Sequence, residues 1–287
     1  MWGWLWCISL IAAAVWGLMT TQSPPIRMIG ISVWIFVTLK VEAFRLMNER
    51  RPFTSTKWSD LPLWLFGTPT LNAEAFFNTS SQRTRPARRD WLRAVFSLVV
   101  GTILIVGVAP RYAEISKPVS GWIGVAGLIL MLHFGTLNLI ALSWQVAGQN
   151  VSELMLAPEA SCSLSEFWGQ RWNTAFRDFS HQTIFRPLTR ALGASVATLT
   201  VFVFSGLVHE LAISIPARAG YGGSMVYFLL QWLGIVIERN AVRRGWRLRS
   251  GMRGWLYAAC WILIPAGLLF HTPFMTSVIV PLLPFKS

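Results

Sequence analysis

His209 and Glu210 stand side by side in the apolar run Phe204-Ser205-Gly206-Leu207-Val208-His209-Glu210-Leu211, and His133 stands inside another apolar run. Ionisable side chains inside segments long enough to cross a bilayer are costly, so each marks a functional hypothesis. A neutral imidazole in an apolar channel suits general-base work, because burial disfavours its charged form. Gly206 allows close approach of a neighbour or a ligand near that imidazole. The other histidines are His181 and His271, and no two of the four are three or four residues apart. The spacing therefore predicts no helical metal pair. Cys7, Cys162 and Cys260 are scattered without a C-x-x-C spacing, which predicts neither a zinc site nor a disulfide framework. A haem or metal held by His133 and His209 from two spans is the minor reading of the same residues.

The second chemically dense stretch is Ser163-Leu164-Ser165-Glu166-Phe167-Trp168-Gly169-Gln170-Arg171-Trp172-Asn173. Ser163 with Glu166 fits a capping box, so a helix is predicted to start there. Leu164, Phe167, Trp168, Trp172, Ala175, Phe176 and Phe179 then share one face at helical spacing, with Gln170, Arg171, Asn173, Arg177 and Asp178 mostly elsewhere. The pattern predicts an amphipathic helix on a membrane surface.

The elements that position these residues follow from composition. The chain has 287 residues, 54% hydrophobic and 13% charged, with mean hydropathy +0.50. A soluble domain carries roughly 25% charged residues, so the chain reads as one all-α, polytopic transmembrane helical bundle over 1–287. A span needs about 20 mostly apolar residues. The runs Trp2–Met19, Met28–Leu39, Ala94–Ala109, Gly121–Leu142, Val196–Ile215, Tyr221–Ile237, Gly254–Phe270 and Phe274–Leu283 predict about eight spans. The first lacks a basic start and reads as a retained span. The last is short and Pro-bounded, so a re-entrant segment is the alternative there. Leu61–Phe66 is too short to span; with Trp58 and Trp64 it is expected at the interface.

The net charge of +13 comes in blocks between apolar runs, which is a pattern of membrane topology and argues against a nucleic-acid partner. Eight spans place 20 Lys/Arg in the loops of one side and four (Arg27, Arg111, Lys117, Arg218) on the other; Lys286 is terminal. The positive-inside rule then predicts a cytoplasmic N-terminus and cytoplasmic large loops. Arg83, Arg85, Arg88 and Arg89 are placed to meet anionic lipid.

At this point two segments resemble a known family. Ser165-Glu166-Phe167-Trp168-Gly169-Gln170-Arg171-Trp172-Asn173 resembles the Phe-Trp-Gly-x-Arg-Trp-Asn motif of wax-synthase-like proteins, a branch of the membrane-bound O-acyltransferase superfamily. Ser205-Gly206-Leu207-Val208-His209-Glu210 resembles the Ser-Gly-x-x-His-Glu segment of the same family, in the same order along the chain. The resemblance is best over about residues 133–211. It implies acyl transfer from an acyl-CoA co-substrate to the hydroxyl of a lipophilic alcohol, with no further cofactor. It matches His209 to the catalytic histidine and Asn173 to the motif's polar residue, and carries over Phe167, Trp168, Arg171 and Trp172 as motif positions. Arg177 joins Arg171 as a cation near the motif for the acyl-CoA phosphates. His133, Asn138, Ser205 and Glu210 are candidates for the lining of a tunnel that such chemistry requires. A lipid flippase or transporter without acyl transfer is the alternative from another class.

Helix rise puts His209 roughly 9 Å from the outer face and His133 roughly 18 Å deep. Asn173 is expected in a cytoplasmic loop, so a shared contact with His209 requires that loop to re-enter.

Overall fold

The computed structural model describes residues 5–50, 60–77 and 85–284. Trp2, Trp58, Arg83 and Lys286 lie outside the described residues. The helices, in chain order, are α1 (Leu5–Met19), α2 (Pro24–Arg50), α3 (Asp60–Gly67), α4 (Ala73–Phe77), α5 (Arg88–Ala113) and α6 (Lys117–Val146). A loop follows, then α7 (Leu164–Glu166, continuing as a π turn over Phe167–Arg171) and α8 (Thr174–Ala217). The rest is α9 (Gly223–Arg243), α10 (Gly251–Leu269) and α11 (Thr272–Leu282). There is no strand among the described residues.

Five of these helices, α5, α6, α8, α9 and α10, are long and apolar enough to cross a membrane. They coincide with five of the eight runs read from the sequence. The other three differ for identifiable reasons. α1 has 15 residues and α11 is shorter still. α2 is 27 residues long but carries Arg27, Lys40, Glu42 and Arg45. Those charges are housed inside the protein: Arg27 Nη2 donates to the Pro216 carbonyl at 2.7 Å, and Arg45 pairs with Glu42 at 2.7 Å.

Lys40 is fully buried. Its ammonium donates to the carbonyl of Trp64 and, at 2.8 Å, to both oxygens of Thr68, and it lies 4.5 Å from the Trp64 ring centroid. This clamps α3 onto α2. The Leu61–Phe66 segment therefore does not simply lie in an interface: Trp64 is fully buried while Phe66 is exposed.

Close packing uses glycine where backbones meet. A Cβ on Gly101 would fall 2.5 Å from the Met131 amide nitrogen, and one on Gly135 would fall 2.9 Å from Leu98 Cα. These contacts seat α5 against α6, as small residues do between membrane helices. Large apolar side chains such as Ile8, Leu92, Phe96 and Ile264 are exposed on the outside, the arrangement expected where lipid is the solvent.

The amphipathic helix read over residues 164–179 is corrected. The chain breaks at Trp172, which is extended, and Asn173, which is left-handed at φ 42°. Ser163 does cap α7, its Oγ accepting from the Glu166 amide at 3.0 Å, but the Glu166 carboxylate accepts from the Cys162 amide instead of completing the box. Asn173 then caps α8. Leu164, Phe167, Ala175 and Phe179 are buried within the protein, so this face packs against neighbouring helices and not on a surface.

Candidate active site

A cavity of about 710 Å³ runs between α2, α6, α7, α8 and α9. His209, His133, Asn173, Trp168, Trp172 and Arg177 all line it, as does Ser205. The helical path of α8 breaks at Gly193, at φ 82° and ψ 163°, so its first part folds back on its second, with the Phe176 ring stacked 5.5 Å from that of Phe204, and this brings the motif to the histidine's side.

π turns mark each of these positions. His133 lies within Ile129–Thr136, the motif turn occupies Phe167–Arg171, and His209 immediately precedes Glu210–Ser214. An extra residue per turn rotates the following side chains and interrupts the regular hydrogen-bond ladder, a feature common at functional sites.

His209 Nδ1 lies 2.7 Å from the Ser205 carbonyl oxygen, one turn earlier in α8. A carbonyl only accepts, so Nδ1 carries the proton and Nε2 keeps its lone pair. The ring is packed 4.5 Å from that of Phe228 on α9. Gly206 makes this packing possible: a Cβ there would meet Met225 Sδ at 2.9 Å, so α9 could not approach. The small residue thus serves a neighbouring helix. The Ser205 hydroxyl donates to the Val201 carbonyl at 3.0 Å.

Asn173 Oδ1 accepts from the Phe176 amide at 3.1 Å as the cap of α8. This fixes the side-chain amide, whose Nδ2 donor has no hydrogen-bond partner among the described residues, in a residue that lines the cavity. Trp168 bonds through Nε1 to Gln231 Oε1 at 3.2 Å and packs 5.6 Å from Phe228. One aromatic contact chain therefore joins the motif turn to His209.

Four residues from the sequence reading lie away from the lining. Phe167 is buried and stacked on Trp172 at 5.2 Å, supporting the indole from behind. Arg171 is bound to Glu166 at 2.6 Å and donates to the Leu156 carbonyl at 3.1 Å. Asn138 is buried, accepting from the Leu154 amide at 2.9 Å and donating to the Met155 carbonyl at 3.2 Å. Glu210 Oε1 accepts from the Met225 amide at 3.1 Å, while its Oε2 is buried without a partner among the described residues. Arg171 and Asn138 together hold the loop at 151–157, and that loop holds α8, since the Thr174 amide donates to the Leu154 carbonyl at 3.0 Å. Arg177 lines the cavity and pairs with Asp178 at 2.8 Å.

The sequence reading missed several residues. Phe228 supports the His209 ring and sits in an apolar run with nothing to single it out. Arg239 and His181 also line the cavity. Glu238 is fully buried, accepts from the Leu164 and Ser165 amides at 2.7 and 3.2 Å, and pairs with Arg249 at 3.0 Å. A carboxylate directly after the apolar run Tyr221–Ile237 was the available signal. In the loop, burial first and then Asp90 push the Glu153 carboxyl up to about 7, against the pull of Arg93.

Residues 151–230 match the sequence model of the "Membrane bound O-acyl transferase family". The chain is 27% identical over 211 residues to the "Long-chain-alcohol O-fatty-acyltransferase" of Simmondsia chinensis, covering 67% of this chain and 58% of that protein. It is 30% identical over 126 residues to the "Probable long-chain-alcohol O-fatty-acyltransferase 7" of Arabidopsis thaliana, 39% of this chain and 37% of that protein. It is 30% identical over 106 residues to the "Acyl-CoA--sterol O-acyltransferase 1" of Arabidopsis thaliana, 33% and 31%. The matches therefore span less than two thirds of each relative.

Proposed function

We propose that this chain, a wax-synthase-like member of the membrane-bound O-acyltransferase family, transfers an acyl group from acyl-CoA to the hydroxyl of a lipophilic alcohol. The observation that carries the reading is the shared cavity: His209, with its proton held on Nδ1 by Ser205, and the motif residues Trp168, Trp172 and Asn173 face one space.

An alcohol is a poor nucleophile at neutral pH, and a base within reach must take its proton as it attacks. The His209 Nε2 lone pair is the acceptor. The alcohol oxygen bonds to the thioester carbonyl carbon, and the oxyanion takes a hydrogen bond from the Asn173 side-chain amide. When the C–S bond breaks, its electron pair leaves with sulfur, and the proton passes from His209 to the CoA thiolate. The products are an ester and free CoA.

Apolar walls from Ile35, Leu39, Val201 and Phe202 suit lipid chains and limit competing hydrolysis. Arg177 and Arg239 suit the anionic end of the acyl donor. With α1, α2 and α11 counted as membrane-embedded, the charge asymmetry supports a cytoplasmic side for the basic loops and for the donor's entrance. The names of the relatives favour a long-chain alcohol or a sterol as acceptor.

The test uses membranes bearing the wild type or His209→Ala, with acetyl-, octanoyl- and palmitoyl-CoA and a panel of fatty alcohols and sterols. CoA release and ester mass are recorded together. Ester from the wild type alone, with a loss of about 10²–10⁴-fold in the variant, is the expected result. Ester at wild-type rates from His209→Ala removes the proposed base, and CoA release without ester from any acceptor points to hydrolysis.

A further inference from the structure

His133 faces the same cavity as His209 and has no part in the steps just given. Its surroundings differ from those of His209 in one respect that matters chemically. His209 is fixed as an acceptor, because the Ser205 carbonyl holds the proton on Nδ1. His133 Nδ1 is buried and has no hydrogen-bond partner among the described residues. Nothing in the protein therefore holds its proton on Nδ1. An N–H sealed in protein without an acceptor is among the rarest orphan groups in folded structures. The tautomer that avoids it carries the hydrogen on Nε2. The ring as a whole is only partly buried, and Nε2, unlike Nδ1, is not an unpartnered atom sealed in protein; the residue itself lines the cavity.

The position is also rigid. His133 lies in the π stretch Ile129–Thr136, where Thr136 Oγ1 donates to the Met131 carbonyl at 2.9 Å. Two residues on, Gly135 packs directly on the backbone of Leu98. A donor held in place before the reaction stabilises developing charge without reorganising.

We infer that His133 is a second catalytic residue, whose Nε2–H donates a hydrogen bond to the thioester carbonyl oxygen as it becomes an oxyanion. The two imidazoles then play opposite parts in one cavity: His209 accepts the alcohol proton, and His133 donates to the oxygen that receives the C=O electron pair. His133 keeps its proton throughout; when the tetrahedral intermediate collapses, the pair returns to C=O and sulfur leaves. The inference rests on the O-acyltransfer reading.

The test is chosen to separate the two. Binding is measured with two non-reacting analogues of palmitoyl-CoA: a ketone with methylene in place of the thioester sulfur, and a thioether lacking the carbonyl. The wild type is expected to bind the ketone more than about 10-fold tighter, since both Asn173 and His133 donate to its oxygen. His133→Leu lowers that preference about 5- to 10-fold, the worth of one hydrogen bond, His133→Gln retains most of it, and His209→Ala leaves it intact. In turnover, His133→Leu lowers kcat about 100-fold, with KM for acyl-CoA raised no more than the lost preference and KM for the alcohol within about 3-fold.

A carbonyl preference undiminished in His133→Leu, or a wild type with no preference, overturns the assignment whatever turnover shows. A loss in His133→Leu confined to KM, or one that His133→Gln does not rescue, also counts against it. An intact, His133-dependent preference with no ester formed counts against the O-acyltransfer reading alone.

Discussion

The ring of Phe228 lies 4.5 Å from that of His209 and 5.6 Å from that of Trp168, so one side chain on α9 braces both the proposed base and the motif turn. Truncating it leaves the imidazole tethered by the Ser205 carbonyl alone. Phe228→Ala is expected to lower kcat at least 10-fold through lost orientation. Because Phe228 is buried, the variant should also lose about 3–5 kcal/mol of stability. Rates normalised to folded protein, judged by fluorescence size-exclusion, separate the two effects.

Ser205 offers a control. The imidazole uses its carbonyl, whereas its hydroxyl bonds elsewhere in the helix. Ser205→Ala should keep ester formation within about 3-fold of wild type, since it retains the backbone acceptor. A loss as deep as that of His209→Ala would place the hydroxyl itself in the reaction.

Asn173 combines three demands: a left-handed backbone, a cap and a free donor. Asn173→Asp keeps the capping oxygen and replaces the Nδ2 donor by an acceptor. Its thermal stability should stay near wild type while kcat falls about 10²–10³-fold. Asn173→Gly tolerates the backbone and loses cap and donor together; its cost in stability is a few tenths of a kcal/mol. Equal activity of Asn173→Asp and wild type would confine Asn173 to the cap.

Glu238 anchors the start of the motif helix from the end of α9. Removing it strands the Leu164 and Ser165 amides and the partner Arg249. Glu238→Ala is expected to cost about 3–5 kcal/mol, measured as a fall in melting temperature in detergent. Arg249 is half-exposed and can turn to water, so Arg249→Ala should cost less.

Glu153 makes stability depend on pH. Its folded-state pKa of about 7 lies above the ordinary carboxyl value of 4.5. Between those values the folded chain holds a proton that the unfolded chain has lost, so stability falls as pH rises through this window. Glu153→Gln should flatten the decline in melting temperature between pH 5 and pH 7.5. A decline unchanged in the variant would assign it to other groups.

How much of this was legible in the sequence depends on the range of the interaction. Apolar runs longer than a bilayer's thickness are local, and five of them became helices of spanning length in the positions read. The two motifs are also local, and His209, Asn173, Trp168, Trp172 and Arg177 could be named before any coordinates. The count of eight spans rested on the same local pattern and was weakest where the pattern was weakest. In α2, Lys40 is held by Trp64 and Thr68, 24 and 28 residues further on, and no window of sequence reports such a partner.

The amphipathic face over residues 164–179 was read as one helix, because hydrophobic periodicity does not see a single left-handed residue. That residue, Asn173, ends the motif turn and caps the next helix, and Gly193 further on folds the chain back so that the motif meets His209. The roles of the polar residues were tertiary matters too. Arg171 and Asn138 have the chemistry of site residues, yet each is consumed by a carbonyl, an amide or a carboxylate that the fold brings to it, and one oxygen of Glu210 is taken by the Met225 amide. The sequence by itself determined where the five long apolar helices form and which motif residues to name, because apolar runs and motifs are written within a turn or two of each residue. The tertiary structure alone decided which polar groups remain free to meet a substrate, because a hydrogen-bonding group is free or consumed according to partners tens of residues away.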